Sequence, residues 1–264
     1  MKNIVVSGAL GKMGQEVVKL VDRTENFTLV GAVDVNKVGE DIKDVLGLEQ
    51  ANAEINGDLS QTLQQANVDT VVDFTTPQVI MDNIRVVCEA GVDMVVGTTG
   101  ITEADLNEIE ELAQKNSNKV IIAPNFAIGA ILMMEFSKKA AKFLDDVEII
   151  EQHHDGKLDA PSGTAIKTAE LMQENLTTKE DKQEEIEKLE GARGAEKDGI
   201  NIHSVRLPGL VAHQEVLFGG EGQTLKFRHD SINRRSFMPG VALAINKLDE
   251  INGLVYGLEN LIEL

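Results

Sequence analysis

The stretch "VVSGALGKMGQEVV" (residues 5–18) decides the fold. A β-branched run ends at Ser7, then Gly8, Gly11 and Gly14 follow at intervals of three, and an amphipathic segment, GQEVVKLVDR (14–23), opens on the last of them. Glycine lets a chain turn sharply out of a strand and lets the N–H groups at a helix start approach a pyrophosphate. A lone glycine pattern is weak evidence, but here strand, turn and helix coincide. The next apolar run, TLVGAVD (28–34), ends on Asp34, twenty residues past Gly14, where a carboxylate can accept hydrogen bonds from ribose hydroxyls. The stretch therefore predicts a dinucleotide-binding turn at the head of an α/β sheet.

Outward from it the same rhythm repeats. KNIVV (2–6), TVVDFT (70–75), MVVGTT (94–99) and VIIAPN (120–125) are short and β-branched, as parallel strands covered on both faces are. PQVIMDNIRVVCEAG (77–91) and TEADLNEIEELAQKN (102–116) carry helical spacing, with acids early and Gly, Lys or Asn late. Repeated βα units predict an α/β fold, a Rossmann-like doubly wound parallel sheet over 1–126. After Asn125 the rhythm changes. A helix over 129–144 leads to the strand VEIIEQH (147–153), a helix from about Ser162 and three strands, INIHSVRL (200–207), HQEVLFG (213–219) and TLKFRHD (224–230), whose short connections predict antiparallel pairing. This second domain, 127–234, is expected to be α+β with a mixed or antiparallel sheet, and the helix PGVALAINKLDEI (239–251) to return the chain so that 235–264 completes the first. The charged run 174–199 is expected to be a solvated helix and loop.

Composition narrows the partners. Forty-four acids against twenty-five bases give a net charge of −19, the wrong sign for neutralising phosphates, so no nucleic-acid partner is expected. An anionic ligand must then be held by local donors, since the overall field repels it. Cys88 is the single cysteine, which leaves no intramolecular disulfide and no redox CxxC pair. MKNIVVSGAL lacks the build of a signal peptide and no eighteen apolar residues run together, so a cytoplasmic protein without a membrane partner is expected.

Acid/base chemistry concentrates in EQHHDGKLDAPSGTA (151–165). Neighbouring His153 and His154 point to opposite faces of an extended chain and cannot share one metal ion, while His203, His213 and His229 show no ligand spacing; no metal is expected. His153 or His154 with Lys157 suits proton transfer near neutrality. Ser162 can cap a helix, Pro161 is acceptable in its first turn, and Gly163 and Thr164 offer unhindered N–H groups and a hydroxyl for a carboxylate. GTTG (97–100) and APNF (123–126) close two later strands, where an open α/β sheet presents ligand residues, although such residues also simply turn a chain. Asp34 favours NADH over a 2′-phosphate, and Lys12, Asn36 and Lys37 offset it, so NADH and NADPH are both expected to be usable.

GALGKMG, VVDFT, VVGTTG, APNF, EQHHDGKLDAPSGTA, GAR (191–193) and IHSVRLPGLVAHQEVLFGGEGQTLKFRHDSINRRSF, in this order, resemble the dihydrodipicolinate (4-hydroxy-tetrahydrodipicolinate) reductase family over essentially the whole chain. The resemblance implies reduction of a cyclic unsaturated dicarboxylate by NADH or NADPH in lysine and diaminopimelate biosynthesis, and a homotetramer formed through the second domain. It implies His153 as proton donor/acceptor, Lys157 as proton donor, and His154, Gly163 and Thr164 as substrate-binding residues. It implies cofactor contacts at Gly8, Ala9, Leu10, Gly11, Lys12, Met13, Asp34, Gly97, Thr98, Thr99, Ala123, Pro124, Asn125 and Phe126. Val35 stands where many members have a basic residue, and Asp155-Gly156 where some have a more basic pair. Three rivals fit less well. A thiol dehydrogenase needs an accessible cysteine and Cys88 lies in an apolar helix; a tyrosine–lysine reductase lacks the lysine after Tyr256; a dinucleotide sensor has no use for His153 and Lys157.

Overall fold

The computed structural model describes residues 1–176 and 186–263. The chain divides into two compact units, Met1–Phe126 with Phe237–Leu264, and Ala127–Ser236; the second crossing falls two residues beyond the break expected at 235. Residues 177–185 of the charged run lie outside the described residues.

Unit 1 opens with β1 (Lys2–Ser7), α1 (Gly14–Arg23), β2 (Phe27–Val33), α2 (Ile42–Leu46), β3 (Ile55–Asn56) and α3 (Leu59–Gln65). It continues with β4 (Thr70–Asp73), α4 (Ile80–Glu89), β5 (Asp93–Val96), α5 (Glu103–Asn116) and β6 (Lys119–Ile122). After unit 2 it resumes with α8 (Met238–Lys247) and β12 (Gly253–Tyr256). The sheet runs β12-β6-β5-β4-β1-β2-β3, every pair parallel. This is the doubly wound order with one further strand. β-Branched strands covered on both faces make the core: Val5, Val71, Met94, Val96, Val120 and Ile122 pack with Ile80, Ile84, Val87 and Cys88 of α4 and Ile109 and Ala113 of α5. Helix ends follow local chemistry. Thr102 and Asp105 form a capping box at the start of α5, and Asp41 and Asp58 cap α2 and α3 through their side chains.

Unit 2 comprises α6 (Ile128–Ala140), β7 (Asp146–His153), α7 (Gly163–Gln173), β8 (Ala195–Lys197), β9 (Ile200–Arg206), β10 (Ala212–Gly220) and β11 (Gln223–Ser231). The sheet order is β11-β10-β7-β9-β8, and it is mixed. One expectation is corrected here: β9 and β10 do not pair despite their short connection. β7 lies between them, antiparallel to β10 and parallel to β9. The physical reason is on β7, whose buried Glu151 takes its neutralising partner, Arg206, from β9, while Val216 and Gln214 of β10 stand opposite Ile149 and Glu151 on the other side. Gln214, Val216 and Phe218 of β10 are buried on the same face, and the Gln214 amide donates to Thr168 Oγ1 of α7 at 2.8 Å. The opposite face carries ion pairs, among them Lys226–Glu215 at 3.0 Å, Arg228–Asp230 at 2.9 Å and His203–Glu148 at 2.7 Å. Among the described residues, no helix is long and apolar enough to cross a membrane.

Candidate active site

The glycine turn is built by backbone contacts that no side chain would permit. Gly8 sits at φ +76°, and a Cβ there would lie 2.5 Å from the Phe74 carbonyl oxygen; a Cβ on Gly14 would lie 1.9 Å from that of Gly8. The N–H groups of Gly8 and Ala9 donate to the Val33 carbonyl and that of Gly11 to Gly8, which leaves the turn tight against the end of β2. Asp34 locks it. Its Oδ2 accepts from Leu10 N at 2.9 Å, while Oδ1 accepts from Asn36 N and Nδ2, both at 3.0 Å. Among the described residues, no acceptor meets the N–H of Lys12 or Met13. Met13 begins α1 without a side-chain cap, so uncapped donors face outward at the positive end of a ten-residue helix. That donor set fits a pyrophosphate, and Lys12, next to it in the turn, is exposed.

The ends of β4 and β5 are tied by a buried carboxylate that the sequence reading passed over. Asp73, 0% exposed, accepts from Thr98 Oγ1 at 2.8 Å, Thr75 Oγ1 at 2.7 Å and Asn83 Nδ2 at 2.8 Å. The hydroxyl of Thr98 is thereby turned inward, whereas Thr99 is exposed. Gly97 leaves room for the Phe74 ring, which packs on Phe126 with centroids 5.6 Å apart. Ala123 and Phe126 are buried, Asn125 is half-buried, and Pro124 is the exposed member of that tetrapeptide. The side chains of Ala123 and Phe126 thus belong to the core, and what this edge presents outward is Thr99 and Pro124.

In unit 2, β7 delivers Glu151 and His153 to the same face, two residues apart. His153 Nδ1 lies 2.5 Å from Glu151 Oε2. Glu151 is 0% exposed and accepts a fork from Arg206 of β9, Nη1 to Oε2 at 2.8 Å and Nη2 to Oε1 at 2.7 Å, together with Ser162 N at 3.2 Å. Burial pushes its carboxyl upward, but Arg206, the Ser204 hydroxyl and His153 outweigh that and hold it below the usual range. A carboxylate held ionised only accepts, so Nδ1 is the donor and Nε2 of a neutral His153 carries the lone pair. Burial lowers the His153 pKa and Glu151 draws it back up, with the net effect downward. Lys157 Nζ donates to both oxygens of Asp159, at 2.7 and 2.8 Å, and Arg206 Nη2 also donates to the Asp159 carbonyl at 2.7 Å.

Ser162 caps α7 through Ala165 N at 3.3 Å, and Pro161 stands before the cap, outside the first turn where the sequence placed it. Gly163 is exposed, with open space around its Cβ position, and Thr164 is half-exposed beside it. His154 is exposed at the end of β7. The other histidines do not converge. His203 pairs with Glu148 and His213 with Asp230 on one face of the sheet, whereas His229 is packed against Gly129 on the other. Cys88 is fully buried, and burial, with Asp93 adding, pushes its thiol up to about 11. A thiol in that state is no nucleophile near neutrality, which removes the thiol dehydrogenase reading.

A parallel sheet of this order, entered through a glycine turn and joined to an α+β unit, is the architecture of the Rossmann-type oxidoreductases. The family model described as dihydrodipicolinate reductase, N-terminus, matches residues 2–126, and that described as dihydrodipicolinate reductase, C-terminus, matches residues 129–262. A 4-hydroxy-tetrahydrodipicolinate reductase of Bacillus cereus (strain AH187) is 53% identical over 261 residues, covering 98% of both chains. One of Bacillus thuringiensis (strain Al Hakam) is equally similar. Among solved structures, the dipicolinate-bound dihydrodipicolinate reductase of Paenisporosarcina sp. TG-14 superposes with a TM-score of 0.90 at 47% identity, over 99% of this chain and 100% of that one. This chain belongs to the dihydrodipicolinate reductase family and is an oxidoreductase.

Proposed function

We propose that the protein reduces 4-hydroxy-tetrahydrodipicolinate to tetrahydrodipicolinate in lysine and diaminopimelate biosynthesis, with NADH or NADPH as reductant and water as the second product. Lys12 and Met13 N–H groups would hold the pyrophosphate and Asp34 would face the ribose, with Gly97, Thr99 and the 123–126 turn lining the same strand edge. When bound, the nicotinamide supplies the hydride. The chain's own residues manage protons and charge. His153 takes up and releases a proton at Nε2, Lys157 provides a second donor, and His154 with the N–H groups of Gly163 and Thr164 receives the two carboxylates.

The observation that carries this reading is the contact of His153 Nδ1 with Glu151 Oε2 at 2.5 Å, which commits one ring nitrogen and leaves the other for proton exchange, on the segment that also holds Lys157 and the α7 start. The dipicolinate in the Paenisporosarcina structure supports a planar dicarboxylate as ligand. Assembly as a homotetramer through the unit 2 sheet belongs to the same proposal, and sedimentation equilibrium tests it. His153→Ala and Lys157→Ala should each lower kcat by ~10²–10⁴ while NADH still binds by fluorescence titration. Near-normal kcat in both variants would remove the two residues from the mechanism.

A further inference from the structure

Glu151 is a carboxylate fully enclosed in unit 2. A buried ion pair such as Glu151–Arg206 is poor value as a stabiliser, since well-packed apolar residues of similar volume usually do as well. Its geometry points elsewhere. Glu151 Oε2 holds His153 Nδ1, and the guanidinium that holds Glu151 also holds the carbonyl of Asp159, whose carboxylate binds Lys157. One pair thus reaches both residues assigned to proton transfer.

We propose that Glu151, clamped by Arg206, is the positioning residue of the acid/base site: it fixes the His153 ring with Nδ1–H inward and sustains the protonated form that donates from Nε2. The inference rests on the reading of His153 as proton donor. The charged groups facing His153 are Glu151 on its own strand, Lys157 from the following loop and Arg206 from β9; across from it on β10 lies Ala212. Glu151 is the one anion among these three. It favours the imidazolium, and the two cations oppose it.

Glu151→Gln keeps the shape and an acceptor for Nδ1–H, removes the attraction and leaves both repulsions, with Arg206 now unneutralised. The His153 pKa should therefore fall by about one unit or more. The test is heteronuclear NMR of the intact protein labelled at histidine, paired with kcat/KM across pH. In the parent, the ring nitrogen shifts should show the Nδ1–H tautomer. In Glu151→Gln, the His153 titration and the alkaline limb of kcat/KM should move down together, so that activity lost at pH 8 returns on acidification. A folded Glu151→Gln protein with an unmoved His153 titration overturns the proposal, because a merely structural carboxylate would change Tm and leave the titration alone. An Nε2–H tautomer in the parent overturns it without any variant, which decides the matter should Glu151→Gln fail to fold. If the titration moves and the pH profile of kcat/KM does not, the positioning role stands and His153 as proton donor falls.

Discussion

Asp34 ties the glycine turn to the end of β2 with one carboxylate. Its Oδ2 is committed to Leu10 N and its Oδ1 to Asn36, so the acid that the sequence assigns to ribose also braces the glycine turn. Asp34→Ala should then weaken NADH by about tenfold, the scale of a hydrogen bond to a charged group, and also weaken NADPH, though less, because the lost brace is shared while the relieved repulsion helps only the 2′-phosphate. Dissociation constants from fluorescence titration check this, and an NADPH affinity that rises outright would mean that the brace contributes nothing. The position of Asp34 beside the glycine turn was legible because turn, strand and acid lie within one short span. Glu151 was not. It reads as a polar strand end until β9 brings Arg206 from fifty-five positions away, and no local pattern announces a pairing at that distance. Asp73 escaped for the same reason, since Thr98 and Asn83 reach it from separate elements.

Elements with strong period and chemical punctuation were readable; short ones were not. The five strands and three helices expected in residues 1–126 are present, whereas α2, β3 and α3 carry too few apolar positions to declare a period, and α2 is a single capped turn of five residues. β9 and β10 show the same limit in another form, because a short loop specifies reversal of direction but not adjacency. The glycines at two helix starts make opposite demands. Gly14→Ala would drive a Cβ into the Gly8 carbonyl, so α1 must shift away from the turn; Tm and affinity for both dinucleotides should fall together. Gly163→Ala meets open space and should leave Tm unchanged or slightly higher, since alanine suits a helix better than glycine. If substrate carboxylate docks on the α7 N–H groups, the added methyl nevertheless obstructs it, and KM should rise while dinucleotide affinity holds. An unchanged KM in Gly163→Ala would place the carboxylates away from α7.

At the scale of the whole molecule, a net charge of −19 sets a background against which every local pair works. Self-repulsion of that kind destabilises the compact state and is screened by salt. Raising NaCl from about 10 mM to about 150 mM shortens the Debye length from about 30 to about 8 Å, and Tm should rise by about 2–4 °C, equivalent to about 1 kcal/mol. A fall in Tm would show that the surface ion pairs outweigh the repulsion. The order of the seven-stranded sheet has a consequence of another kind. Its strand β12 lies beside β6, yet 130 positions separate Ile122 from Gly253, and all of unit 2 is encoded between them. During synthesis unit 2 is complete once Ser236 has emerged, while β6 waits as an open edge until β12 follows. The domain begun first is finished last, and the interval leaves an apolar parallel strand available to any chaperone or neighbouring nascent chain that can offer it a partner.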